Sequence, residues 1–148
     1  MAPEFQVNLL VVLLAALAVG LAVGLHYEGL NWLARRLTTQ GHARRRRVLY
    51  GVIGALLLHI AEIWVFGVAY WIGLTFPGAG GVAGAYDGGL LDTVYLSAMT
   101  FSTVGFGDVA PHGAIHFIAG TEAVLGLFLI AWSATFTYYE MAQNWKDR

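Results

Sequence analysis

Three long apolar runs limit what this chain can fold into. They occupy residues 7–25, 48–76 and 114–139; the first has no Asp, Glu, Lys or Arg, and the others have one Glu each. A helix of about 20 apolar residues crosses a bilayer core of about 30 Å. We therefore predict three membrane-spanning helices, over 7–33, 48–76 and 114–140, the first of them with an amphipathic continuation.

The composition agrees with a membrane location. Only 11% of the 148 residues are charged and 58% are hydrophobic, whereas soluble domains carry about a quarter charged residues. The length fits one membrane domain over 1–148. The net charge of −1 gives no sign of a nucleic-acid partner, and the absence of cysteine excludes disulfides. A cleaved signal peptide fits the first run poorly, because no basic region precedes it.

A fourth apolar run, at 90–102, is too short to cross the bilayer. It suits a re-entrant helix, with Asp92 at its N-cap or in its first turn. Irregular backbone at membrane depth must be buried in protein or line a water-filled path. The glycine-rich segment 77–89 before this helix is predicted to be a flexible loop.

The basic residues predict the orientation. All eight Lys and Arg lie in the 34–47 connection or the C-terminal tail, and the positive-inside rule places both in the cytoplasm. The N-terminus, Glu4, Asp87 and Asp108 are then outside, and the C-terminus is cytoplasmic. Anionic lipid headgroups are the expected partners of the arginines in the connection. These are Arg35, Arg36, Arg44, Arg45, Arg46 and Arg47.

The loop after the short run carries the sequence Thr-Val-Gly-Phe-Gly-Asp at 103–108. It resembles the selectivity filter of tetrameric pore-loop potassium channels, including small bacterial members. The resemblance implies an all-α membrane protein with the potassium-channel pore fold: three transmembrane helices, a re-entrant pore helix and the filter loop. It covers roughly 48–139, with 48–76 as outer helix, 90–102 as pore helix and 114–140 as inner helix.

A potassium filter replaces the water around the ion with rings of backbone carbonyl oxygens, helped by a threonine hydroxyl. For successive carbonyls to point inward, the backbone must adopt conformations that alternate in the sign of φ, and Gly105 and Gly107 allow this without strain from a Cβ atom. Because one loop gives one oxygen per level, four identical chains are implied. The resemblance places K⁺ at Thr103, Val104, Gly105 and Phe106, with Gly107 also in the filter, Asp108 at the outer mouth, and support from Tyr95, Met99, Thr100 and Ser102.

Buried acids are the remaining candidates for function, because a charge inside a span costs at least about 2.5 kcal/mol. Glu62 is expected to pair with His59, three residues earlier, unless either bonds to the pore helix. Glu122 is expected to brace the pore helix through Ser97 or Thr100, or to add charge near the ion path. The alternative for both is a protonated, hydrogen-bonded carboxyl that fixes packing. Gly126 is a candidate hinge of the inner helix.

His112 and His116, placed one helical turn apart near the outer mouth, are candidates for external proton sensing or for ordinary interfacial positions. No enzyme chemistry and no organic cofactor are indicated. The predicted function is passive K⁺ conduction, in a bacterial plasma membrane. Alternatives are a weakly selective cation channel, a non-conducting assembly subunit and a secondary potassium transporter. The resemblance leaves the first helix unexplained.

Overall fold

The computed structural model describes residues 3–39 and 44–145. Within them lie three long helices and one short helix. The long ones are α1 (Pro3–Thr39), α2 (Arg44–Gly73) and α4 (His116–Trp145), and the short one is α3 (Leu90–Phe101). Each long helix is long and apolar enough to cross a membrane. The predicted fold class, three spanning helices with a shorter apolar helix before the last, is confirmed.

A small sheet frames the short helix and the loop that follows it. Strand β1 (Gly81–Gly84) pairs antiparallel with β2 (Val109–His112), and a 3₁₀ turn at Gly113–Ile115 leads into α4. The prediction of a flexible loop over 77–89 is therefore wrong for β1. Gly80, at a φ of 106°, makes the approach possible, because a Cβ there would overlap the carbonyl oxygen of His112.

The basic connection is mostly helical, so the predicted 34–47 loop is wrong over most of its length. Helix α1 continues through Arg35 and Arg36 to Thr39, and α2 already begins at Arg44. Arginine and leucine are good helix formers. The 37 residues of α1 extend about 55 Å, well beyond a core of about 30 Å.

The helices pack around α3. It lies against α2 and α4, and α1 packs against the same two helices. Helix α1 offers this contact small side chains, which let membrane helices approach closely. The buried core includes Ala15, Ala18 and Ala22 from α1, Phe66 and Tyr70 from α2, Leu96 and Phe101 from α3, and Ile118 and Leu129 from α4.

Candidate pore loop and its supporting contacts

The start of α3 is fixed by a carboxylate. Asp92, in the first turn, accepts hydrogen bonds from the backbone amides of Gly89 at 3.0 Å and Asp87 at 3.1 Å. Gly89 is the N-cap residue of α3, where an amide has no partner within the helix, and Asp87 lies in the segment just before it. The predicted first-turn position of Asp92 is confirmed.

The end of α3 passes into the candidate filter through backbone hydrogen bonds. The Thr103 amide donates to the carbonyl of Thr100 at 3.0 Å, and the Gly105 amide donates to that of Met99 at 3.3 Å. The Ser102 amide donates to the carbonyl of Ala98 at 3.1 Å. The last turn of α3 thus sets where the irregular backbone begins.

In the first half of the loop, the backbone dihedral φ alternates between positive and negative values. Thr103 has a φ of 57° and Gly105 a φ of 95°, whereas Val104 between them lies outside the positive region. Sequence analysis assigned this conformational freedom to Gly105 and Gly107, but Gly107 lies outside the left-handed region. A threonine held there is strained, and such strain marks functional sites.

The loop is open in the single chain. All residues from 102 to 108 are exposed, and the Val104 side chain is 72% exposed. The Phe106 side chain is 46% exposed.

Tyr95 connects α3 to the end of the loop at Asp108. Its hydroxyl donates to Oδ1 of Asp108 at 2.9 Å. This hydrogen bond, with lesser contributions from burial and from the charge of Asp108, raises the pKa of Tyr95. The phenol therefore stays a donor at neutral pH. Sequence analysis gave Tyr95 a supporting role and missed the bond, because a separation of 13 residues follows no regular period.

The other expected support residues make local contacts. Thr100 Oγ1 donates to the carbonyl of Leu96 at 2.8 Å, and Ser102 Oγ donates to that of Ala98 at 2.6 Å. Met99 is half-buried, and its carbonyl accepts the Gly105 amide. The structure places all three residues at the base of the loop.

Glu122 joins three helices. It is fully buried, and it accepts hydrogen bonds from Ser97 Oγ on α3 and from the Tyr70 hydroxyl on α2, the latter at 2.7 Å. Ser97 Oγ also lies 2.8 Å from the carbonyl of Ile63. The contact with Ser97 matches the expectation from sequence. Tyr70 was missed, because no spacing relates residues in separate spans.

Glu62 is the centre of a second buried cluster. Its Oε2 lies 2.9 Å from Nδ1 of His59, the expected pair, and its Oε1 lies 2.7 Å from Nδ1 of His26 on α1. Sequence analysis placed His26 in the amphipathic end of the first helix and gave it no partner. No sequence spacing relates His26 to Glu62, because the two residues lie on different helices.

Gly126 has a packing reason to be glycine. A Cβ at this position would overlap the carbonyl oxygen of Phe101, the last residue of α3. Helix α4 is continuous through Gly126. Its role as a hinge remains a prediction, while its close contact with the end of α3 is a feature of the fold.

The arginines at the α1–α2 connection differ in their surroundings. Arg47 lies 3.4 Å from Oε2 of Glu140 on α4, and the Arg36 guanidinium lies 5.4 Å from the centre of the Trp32 ring. Arg47 thus has a protein carboxylate as a partner, and the expected contact of the arginines with lipid headgroups stays a prediction. Arg46 is exposed. The side chains of Arg44 and Arg45 lie outside the described residues.

The two outer histidines do not share a helix. His112 ends β2 and His116 begins α4, with the 3₁₀ turn between them. The expected spacing of one helical turn is wrong, because Gly113, at a φ of 78°, redirects the chain there.

The chain combines three spanning helices with a short helix that leads into an exposed loop whose φ alternates in sign. This is the architecture of a pore-forming membrane subunit. The shared sequence pattern of a family described as "Ion channel" matches residues 47–143, more than half of the chain. The chain belongs to this ion channel family, and it is an integral membrane protein.

Two relatives are both called Protein LctB. The one from Geobacillus stearothermophilus is 37% identical over 93 residues, which cover 63% of this chain and 69% of the relative. The one from Bacillus caldotenax is 43% identical over 51 residues, covering 34% of this chain and 38% of the relative. No solved structure matches the chain.

Proposed function

We propose that this chain is one subunit of a homotetrameric, potassium-selective channel that conducts K⁺ passively. The observation that carries the proposal is the loop from Thr103 to Gly107. It leaves a helix too short to span the bilayer, and its φ is positive at Thr103 and Gly105. Alternation of this kind is what turns successive carbonyl oxygens toward one side.

The carbonyls of Thr103, Val104, Gly105 and Phe106 are the proposed K⁺ ligands, together with the Thr103 hydroxyl. Asp108, held by Tyr95, would form a ring of carboxylates that attracts cations at the outer mouth. The C-terminal end of α3 points its partial negative charge toward the start of the loop, which also favours a cation there.

Four copies are required because one chain gives one oxygen at each level of the filter. The exposure of the loop in the single chain supports this assembly, since Val104 and Phe106 would be covered by neighbouring subunits. Native mass spectrometry of the purified protein should therefore give a mass of four chains. A stable monomer or dimer would contradict the proposed pore.

The proposed location is a bacterial plasma membrane, with the N-terminus outside and the C-terminus cytoplasmic. The chain has no cysteine, so single-cysteine variants report sidedness without background. We expect an impermeant maleimide to label Asp87→Cys in intact cells and Met141→Cys only after the membrane is opened. The reverse pattern would overturn the orientation.

Ion flux from liposomes tests the function. Purified protein should release K⁺ down its gradient, with little Na⁺ flux and with block by external Ba²⁺. Gly105→Ala is the matched loss-of-function variant, because a Cβ strains a backbone at a φ of 95° while meeting no atom within 4 Å in the single chain. Equal fluxes of Na⁺ and K⁺ would establish a weakly selective cation channel, and no flux would favour a non-conducting subunit.

A further inference from the structure

A buried cluster outside the proposed filter lies where α1 meets α2. His26 and Glu62 have fully buried side chains, and that of His59 is 16% exposed. The two Nδ1 atoms approach the two different oxygens of Glu62, at 2.7 Å and 2.9 Å. One ligand atom from each residue can be chosen so that all three lie within 4.8 Å of one another.

We propose that His26, His59 and Glu62 form a binding site for a divalent transition metal ion, with Zn²⁺ as the preferred candidate. Two imidazole nitrogens and one carboxylate oxygen form a known three-residue zinc ligand set that leaves a fourth position open. Imidazole ligands also disfavour Mg²⁺ and Ca²⁺, which take oxygen donors.

The present spacing is that of hydrogen bonds, so the side chains must rearrange to take an ion. Zinc–ligand distances of about 2.0–2.1 Å place tetrahedral ligand atoms about 3.4 Å apart. The two nitrogen–oxygen contacts, at 2.7 Å and 2.9 Å, go to different oxygens of Glu62, so each must lengthen by roughly half an ångström while both nitrogens turn toward one ion. The chosen ligand atoms already lie within 4.8 Å of one another, so rotation of the carboxylate and imidazole side chains is the movement that the proposal requires.

The second ring nitrogen of His26 supports the proposal independently. Among the described residues, Nε2 of His26 is buried without a hydrogen-bond partner. If Nδ1 donates to Glu62, a neutral imidazole leaves a bare lone pair on Nε2 in an apolar site, which is unfavourable. If Nδ1 binds a metal, the proton of the neutral imidazole resides on Nε2 instead. An N–H beside an aromatic ring gains a weak attraction, and the Trp132 ring centre is 5.2 Å from that of His26.

The site would fasten the first helix to the pore module. His26 belongs to α1, which lies outside the region matched to the ion channel family, and both other ligands belong to α2, inside it. The His59 ring lies 5.5 Å from the ring of Phe101, at the end of α3. A bound ion would therefore stabilise α1 against α2 beside the base of the loop.

Zinc titration of the purified, tag-free chain in detergent, after chelator treatment, tests the site by calorimetry near pH 7.5. We expect about one Zn²⁺ per chain. His26→Gln and Glu62→Gln should each lower the affinity for Zn²⁺ at least about tenfold. Even mutation of a residue that only hydrogen-bonds to a metal ligand typically lowers metal affinity by about 10–100-fold. The matched control is a His112→Gln, His116→Gln double variant, which removes two imidazoles away from the cluster and should bind as the wild type does.

Co²⁺ binding to the wild type provides a measurement that does not depend on the variants folding. We expect the intense visible absorption of four-coordinate Co²⁺, and Zn²⁺ should abolish it. No saturable binding, unchanged affinity in both cluster variants, or loss of binding in the double control would each overturn the proposal. Binding is measured without ion flux, so this result is separate from the test of the channel function.

Discussion

The Tyr70 hydroxyl lies 2.7 Å from Oε2 of Glu122, a bond between α2 and α4 across 52 positions of sequence. Ser97 on α3 donates to the other carboxyl oxygen. A carboxyl inside a membrane protein needs such partners, because an unpaired one is costly. Since Glu122 is fully buried, this geometry favours a role in holding the pore helix between its neighbours over a charge facing the ion path.

Replacement of Tyr70 by phenylalanine should destabilise the protein by about 1–3 kcal/mol, because it leaves one oxygen of a buried carboxyl without its donor. Unfolding of the purified protein in detergent, followed by circular dichroism, measures the change. The control is Tyr138→Phe, which removes a hydroxyl from a side chain that is 67% exposed. Equal stability of the two variants would show that the Tyr70 bond contributes nothing.

Replacement of Gly126 by alanine should force α4 away from the end of α3. The added Cβ would meet the Phe101 carbonyl oxygen, a backbone atom that cannot rotate aside. We expect a loss of stability of about 1–3 kcal/mol and reduced ion flux. Gly120→Ala is the matched control on the same helix, because a Cβ there meets nothing within 4 Å. Normal stability in Gly126→Ala would contradict this packing, and altered flux with normal stability would favour the hinge role instead.

The spans and the short helix could be predicted from the sequence because hydrophobic length is a local property that the bilayer thickness converts directly into structure. The pair of His59 and Glu62 was accessible for the same reason, since a spacing of three residues lies on one helix face. The contacts of Tyr70 and His26 were not, because they join different spans whose relative rotation depends on packing. The strand β1 was missed because its glycines carry no strand signal.

The positive φ of Thr103 is a backbone feature that the sequence did not predict. Glycine content identified Gly105 and Gly107 as the flexible positions, but the end of α3 starts the alternation one residue after Ser102. The end of α3 thus determines which loop residues have a positive φ, and Thr103 is one of them although a threonine is strained there.

Replacement of Tyr95 by phenylalanine should release the Asp108 carboxylate at the outer end of the loop. We expect a lower ratio of K⁺ to Na⁺ flux, because the loop loses its link to the pore helix. Tyr86→Phe is the control, removing a phenol hydroxyl from the segment before α3. An unchanged flux ratio in Tyr95→Phe would exclude a role for the bond in selectivity.

The Tyr95 bond should also persist across the neutral pH range. The hydrogen bond to Asp108 raises the pKa of Tyr95 above its ordinary value of about 10. A raised tyrosine pKa means that the contact is fully present below pH 10 and is lost as the pH rises through the folded-state value. We therefore expect the flux ratio of the wild type to show no Tyr95-dependent change between pH 6 and pH 9. A step in this interval that Tyr95→Phe abolishes would contradict the assignment.

The ion pair of Arg47 and Glu140 connects the first turns of α2 to the last turns of α4. Their atoms are 3.4 Å apart, with side chains 23% and 7% exposed. The pair opposes separation of the start of α2 from the end of α4, so under the proposed channel function Arg47→Ala should raise K⁺ flux if that separation opens the pore. A double-mutant cycle with Glu140→Gln should give a coupling of about 0.5–1 kcal/mol in unfolding experiments. Arg46→Ala, which removes the same charge from the adjacent exposed position, should leave flux and stability unchanged. Equal effects of the two arginine variants would assign the result to net charge near the lipid headgroups rather than to the contact with Glu140.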